Sequence, residues 1–255
     1  MDKLHIGTMG WGYDFWVGNF YQHGLAPGDY LKEYCKHFRT VEVDSTFYSI
    51  PHHEMVENWR AQAPSGFIFS AKFPQSITQD RMLSNVEAET NVFLERICLL
   101  GEKLGPLVIQ LSYDFGIEEM HLLKQFLETL PQGNRYVVEV RKRNLLGDRL
   151  YSLLSDAGAA LAMVDHPYAP KTDKVTADFV YIRLEGDRKK VKGTLGKVEV
   201  DRGGELKAWA ETIRGFLGRS LEVYVYCSKF YSGHSPTDAL RLSELLREKD
   251  DGSKN

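Results

Sequence analysis

Glu42 and Asp44 stand two residues apart in TVEVD (40–44), with Val41 and Val43 in alternate positions. A strand sends successive side chains to opposite faces, so the two carboxylates share one face and the valines the other. The same arrangement recurs in VVEVR, which pairs Glu139 with Arg141, and in VYIRLEG, which aligns Tyr181, Arg183 and Glu185. If the Val and Ile positions face a shell of helices, the opposite parity points into a shared interior. That parity collects His5, Glu42, Asp44, Ser70, Lys72, Gln110, Glu139, Arg141, Asp165, Arg183, Glu185, Tyr224 and Tyr226. Five carboxylates (Glu42, Asp44, Glu139, Asp165, Glu185) then meet three cations (Lys72, Arg141, Arg183). Cations hold neighbouring carboxylates ionised, whereas a carboxylate without a partner gains proton affinity. A pair pushed apart in this way suits general acid–base work.

Within this set Glu42 is the expected acid or base, with Asp44, Lys72 and Glu139 as the other catalytic candidates. Lys72 fits an electrophilic stabiliser or a charge partner. Arg141 and Arg183 could clamp a carboxylate or phosphate through paired guanidinium hydrogen bonds. The competing reading is a salt-bridge network closed on itself, in which Glu42 anchors Lys72 or Arg141. Glu42, Asp44, Glu139, Asp165 and His166 could also offer oxygen and nitrogen donors to Mg or Mn. Three nearby cations oppose that, no HxH or HExxH spacing occurs, and no organic cofactor is expected.

These residues need a frame. Strands are expected at 4–8, 40–44, 67–73, 107–111, 136–141, 160–165, 179–185 and 221–227. Between them, PGDYLKEYCKHF and HLLKQFLETL show helical apolar stripes, Ser84 to Leu100 reads as one helix stopped by Gly101, and LKAWAETIRGFL precedes the last strand. Strand–helix alternation of this kind implies parallel strands and an α/β (β/α)8 TIM barrel. An open doubly wound sheet is the alternative, but GTMGWG is a poor phosphate-binding turn. The expected division is one barrel domain over 1–247 and a flexible polar tail over 248–255.

Two long loops follow strands and so belong to the rim where barrels keep their chemistry. In GWGYDFWVGNFY, Trp11, Tyr13 and Trp16 could join Tyr48 as a stacking wall for a sugar or base, or simply pack the loop. The loop over 186–204 carries Arg188, Lys189, Lys190, Lys192, Lys197 and Arg202, and suits either a lid over an anion or a solvated segment. SGHSPTDAL offers a helix start with Ser235 as cap and Pro236 in the first turn. His234 beside it is a further candidate for ligand contact.

Hydrophobic residues make up 43% and charged residues 26% of the 255, enough to bury a sizeable core. The formal net charge of −3 argues against a global field for nucleic acid. Cys35, Cys98 and Cys227 lack metal or disulfide spacing, and MDKLHIGTMG lacks an apolar signal core. No apolar run is long enough for a bilayer. The expected setting is cytoplasmic, with no membrane partner.

Several stretches together resemble one family. They are GWGYDFWVGNFY, VEVDSTFYSIP, GFIFSAKFP, KLGPLVIQL, VVEVR, FVYIRLEG and VYVYCSKFYSGHSP, running from about Ile6 to Leu245. The resemblance is to the YecE-like family, domain of unknown function 72, and it implies a TIM-barrel fold without a settled activity. Trp11, Tyr13, Trp16, Gly18, Phe20 and Tyr21 match its first motif; Ser45, Thr46, Phe47, Tyr48 and Pro51 match its second. The chain departs from the family pattern at Asp44, where the family has Asn, and near Glu185, where it has His. Lys142 to Leu145 replace a His-x-x-Trp stretch, and Ser228 and Lys229 replace paired Asn.

The functional reading is therefore a small-molecule enzyme, an isomerase, lyase or hydrolase. Its substrate would be polar and anionic or sugar-like, possible phosphorylation included. Expected contacts are Trp11, Tyr13, Tyr48, Arg141, Asp165, Arg183, Glu185, Tyr226 and His234. A ligand-binding module without turnover and an Mg- or Mn-assisted phosphodiesterase acting on nucleic acid are the alternatives.

Overall fold

A computed structural model describes residues 3–248; the expected tail therefore lies, beyond residue 248, outside the described residues. Strands β1 (Leu4–Thr8), β2 (Thr40–Val43), β3 (Ile68–Lys72), β4 (Leu104–Gln110), β5 (Tyr136–Glu139), β6 (Ala160–Leu161), β7 (Met163–Asp165), β8 (Phe179–Leu184) and β9 (Glu222–Cys227) are all paired in parallel. They form two sheets, ordered β1-β9-β8-β7 and β2-β3-β4-β5-β6. Helices α1 (Tyr30–Tyr34), α2 (His53–Gln62), α3 (Glu87–Ile97), α4 (Met120–Thr129), α5 (Asp148–Asp156), α6 (Gly203–Gly218), α7 (Lys229–Ser232) and α8 (Ser235–Glu248) connect or flank them. No described helix is long and apolar enough to cross a membrane.

Each expected strand is present, with one change of architecture. The run expected over 160–165 is split at Ala162, so nine strands are found among the described residues. β6 pairs with β5 in one sheet and β7 with β8 in the other. Ala162 still donates its N–H to Val138 O at 2.9 Å. At the opposite seam Met9 bridges Glu42 in parallel, and Gly10 N–H reaches Glu42 O at 2.8 Å.

Two apolar layers follow from the alternation of side chains. The larger packs the outward strand faces, including Val41, Val43, Ile109 and Ile182, against the helices. The smaller lies between the sheets, with Met9, Val108, Val137, Ala160, Ala162, Val164, Phe179, Tyr181, Tyr224 and Tyr226. Gly7 is required in β1, since a Cβ there would lie 2.2 Å from Thr40 O.

The helix expected over 84–100 is shorter. Met82, Leu83 and Asn85 have positive φ, which delays the helix start to Glu87. At the other end a 3₁₀ turn over Cys98–Lys103 carries the chain through Gly101. The stripe in α1 and beyond is buried as expected, from Tyr30 to Phe38.

Candidate functional site

The interior is layered, and each layer is built by one rung of residues from neighbouring strands. At the N-terminal end His5 stacks on Tyr224, while Arg135 and Tyr224 bind Glu222. The middle rung is hydroxylic: Thr40 meets Tyr226 at 2.7 Å and Ser70 meets Tyr181 at 2.6 Å.

Above it lies a charged rung centred on Arg183, whose side chain is 2% exposed. Its Nε and Nη2 donate to Glu42 Oε2 and Oε1 at 2.9 and 2.7 Å, and Tyr181 donates to Glu42 Oε2 at 2.8 Å. Arg183 Nη1 reaches Glu139 Oε2 at 2.5 Å and Glu185 Oε1 at 2.7 Å. Glu139 Oε1 accepts from Gln110 at 2.8 Å and lies 3.2 Å from Arg141 Nε. Burial raises the proton affinity of Glu139, but Arg183, Arg141 and Lys72 outweigh it and bring the carboxyl down to about 2. Burial disfavours charge on Arg183 too, yet Glu42, Glu185 and Glu139 raise its proton affinity well above the ordinary value.

Over this rung opens a cavity of about 300 Å³ at the C-terminal ends of the strands. Lys72, 6% exposed, projects into it from the last residue of β3. Its Nζ donates to Gln110 Oε1 at 3.1 Å and sits 3.8 Å above the centre of the Phe47 ring. Among the described residues it forms no ion pair within 4.0 Å, because Glu42, Glu139 and Glu185 are held by Arg183. Burial, reinforced by Arg183, lowers the Lys72 ammonium to about 8. Asp44, just past β2, accepts from Tyr13 at 3.3 Å. Burial and then the Glu42 charge raise its proton affinity, opposed by Lys72.

The mouth is basic and aromatic. Arg141, Arg188 and Lys229 line it, with Tyr48, Tyr113 and Tyr168. These tyrosines are 72%, 59% and 63% exposed, unusual for aromatic rings and clustered at one opening. Arg141 donates to Tyr113 Oη at 2.7 Å, and Lys229 lies over the Tyr13 ring. Arg188 is brought in by the turn at Gly186 (φ 73°), where a Cβ would lie 2.1 Å from Phe230 O. The loop beyond is docked, since Glu199 and Val200 N–H groups bind Ser232 O and Glu199 caps the amides of Lys192 and Gly193.

The cavity thus gathers Tyr13, Asp44, Tyr48, Lys72, Glu139, Arg141, Arg183 and Glu185 from the expected set. Five others lie elsewhere. Glu42 is fully buried beneath it with both oxygens engaged. Tyr226 belongs to the hydroxylic rung. Trp11 packs edge-on against Trp59 and Phe69. His234 is 5% exposed and abuts Trp16, behind the first loop. Asp165 is a parity correction: Ala160, Ala162 and Val164 face inward, which turns Asp165 toward the helices. There it binds Trp209, Tyr231 and Lys171 at 2.9, 3.1 and 2.9 Å.

Ser235 is the first residue of α8 rather than its cap, and among the described residues its Oγ has no hydrogen-bond partner; Ser228 instead caps α7. Among the described residues no three His, Cys, Asp or Glu side chains are grouped to hold a metal ion. The donors considered for Mg or Mn do not converge, since Asp165 points away and Glu42 and Glu139 are filled by Arg183. The sequence reading did not single out Arg188 as a cavity residue, nor Lys229, Tyr113 and Tyr168. Arg188 was visible only as part of a basic loop, and the departure at Lys229 was the other signal.

Comparison with known proteins agrees with this architecture. A DUF72 family protein from Thermotoga maritima superposes with a TM-score of 0.81 at 24% identity, over 95% of this chain and 98% of that one. One from Enterococcus faecalis gives 0.73 at 21% identity, over 95% of each. A glycoside hydrolase family 5 enzyme from Prevotella bryantii matches at 0.51 with 8% identity, over 97% and 96%, a likeness of fold alone. The UPF0759 protein YecE of Escherichia coli K12 is 35% identical over 138 residues, 54% of this chain. This chain spans about half the length of that relative, 48%. The family model for the protein of unknown function DUF72 matches residues 5–255, so the chain belongs to the DUF72 family.

Proposed function

We propose that the two sheets close through the Met9–Glu42 and Ala162 seams into an eight-stranded barrel, and that the cavity at its C-terminal mouth is the active site of an enzyme acting on a small anion. The observation that carries this reading is the state of Lys72 and Asp44 in that cavity. Both open to one cavity, neither is held in an ion pair among the described residues, and burial moves each toward its neutral form. A buried amine whose proton is loosened and a carboxyl whose proton affinity is raised, lining one cavity, suit general base and general acid roles. Arg141, Arg188 and Lys229 supply the field for the substrate's negative charge, and the tyrosine collar offers flat surfaces to a sugar or a planar group.

Glu42, the acid or base expected from sequence, takes a different role here. Both its oxygens are committed to Arg183 and Tyr181, so it fixes the guanidinium that orders Glu139 and Glu185. Arg183 is a positioning residue in this scheme. Lys72 and Asp44 move the proton, which fits isomerase and lyase chemistry on a carbon next to a carbonyl.

The saturation of Arg183 by three carboxylates is the feature that favours a binding module without turnover, because that rung has no group left to react. A panel of sugar phosphates, small carboxylates and nucleotides separates the two. Saturating ligand at about a hundred times Kd adds about 2.7 kcal/mol to stability. A shift on melting that is weakened in Lys229→Met protein, with product on incubation, is the expected result. Binding with no product by mass spectrometry would leave the binding module.

A further inference from the structure

We propose that Lys72 is a nucleophile that condenses with the carbonyl group of an anionic substrate, a 2-oxo acid or a phosphorylated aldehyde or ketone, to form an imine. The inference rests on the reading of the cavity as an anion site. Its support is geometric. Among the described residues Lys72 Nζ has one hydrogen-bond acceptor, Gln110 Oε1, and an aromatic ring on one side, so its remaining valences face the cavity. Every carboxylate on the rung below is engaged by Arg183, leaving the amine free to lose its proton. The basic mouth places cations about the space where a substrate carboxylate or phosphate would sit. The lowered basicity agrees with this geometry, because only the neutral amine attacks carbon.

The neutral amine of Lys72 adds to the carbonyl carbon, forming the C–N bond, while the C=O π pair moves to oxygen. That oxygen takes the proton of the Asp44 carboxyl. The nitrogen of the resulting carbinolamine returns a proton to Asp44, which passes it to the hydroxyl. The C–O bond breaks, water leaves, and a protonated imine remains opposite the Asp44 carboxylate. No oxidant or reductant is consumed. The cationic nitrogen then acidifies the adjacent carbon, which gives isomerase or lyase chemistry its electron sink.

The test is reductive trapping. The full chain is incubated with pyruvate, glyoxylate, dihydroxyacetone phosphate or glyceraldehyde 3-phosphate plus sodium cyanoborohydride, and the adduct is located by peptide mass spectrometry. One reduced adduct on Lys72 is expected, formed at a rate that climbs through about pH 8. It should be lost in Lys72→Met and Lys72→Arg proteins, the second keeping the charge should the first fail to fold. Asp44→Asn should slow it at least about tenfold. Adducts spread over surface lysines, with equal yield in Lys72→Arg protein, would overturn the proposal. Melting with lactate and glycerol 3-phosphate, which lack the carbonyl, runs in parallel. A shift with these but no Lys72 adduct overturns the imine and leaves the anion site standing. Neither shift nor adduct overturns both.

Discussion

Two neighbouring rungs of this interior use the same residue types to opposite ends. In the Arg183 rung every charge is answered: Glu42 by two guanidinium nitrogens and Tyr181, Glu139 by Arg183 and Gln110, Glu185 by Arg183. One step toward the mouth, buried Lys72 and half-buried Asp44 have, among the described residues, only neutral hydrogen-bond partners, Gln110 and Tyr13. The first arrangement holds Glu139 ionised down to about 2; the second drives Lys72 down to about 8 and Asp44 up. Burial alone therefore does not make a reactive group. What matters is whether the neighbouring charges are already spent, and here Arg183 spends them.

The sharpest way to break the contrast is to remove the guanidinium. Arg183→Met leaves two or three buried carboxylates unpaired, and we expect a loss of about 3–5 kcal/mol in urea unfolding, or failure to fold. Adding Glu42→Gln and Glu139→Gln should recover much of it; no recovery would mean that packing, not charge, governs this rung. Lys72→Met should do the reverse, lowering turnover at least about a hundredfold while leaving the fold intact. The Lys72 ammonium is disfavoured by burial, so the melting advantage of that variant should be largest below about pH 8 and fade toward 10.5. An unstable Lys72→Met protein with a stable Arg183→Met protein would invert the comparison.

Acid sharpens it from the other side. The Glu139 carboxyl is depressed from 4.5 to about 2, so its contribution is complete above about 4.5 and is lost as pH falls toward 2. Glu139→Gln should flatten that part of the acid unfolding curve, while Asp44→Asn, whose carboxyl is shifted upward, should not. The smallest effect is at the mouth: Lys229→Met should weaken anion binding about tenfold, about 1.4 kcal/mol, with little change in melting.

Much of the frame was legible because period-two alternation is a local property. Every expected strand exists, and parity alone put Glu42, Lys72, Glu139 and Arg183 on one face. Parity failed at Asp165, where the interior positions are small and apolar (Ala160, Ala162, Val164) and the sequence rule reads the wrong side as polar. It also could not see helices such as α2, whose buried stripe is only Val56 and Trp59.

The amino-acid sequence by itself determined which strands carry charge and on which side, since backbone geometry fixes alternation without any partner. It also determined the family, through motifs spread along most of the chain. Only the tertiary structure decided which charges cancel. Glu42 and Arg183 are 141 residues apart yet share two hydrogen bonds. Electrostatic energy depends on distances of a few ångströms that the order of residues does not encode. For the same reason Asp44 and Lys72, rather than the deeper Glu42, are the groups left facing the open cavity.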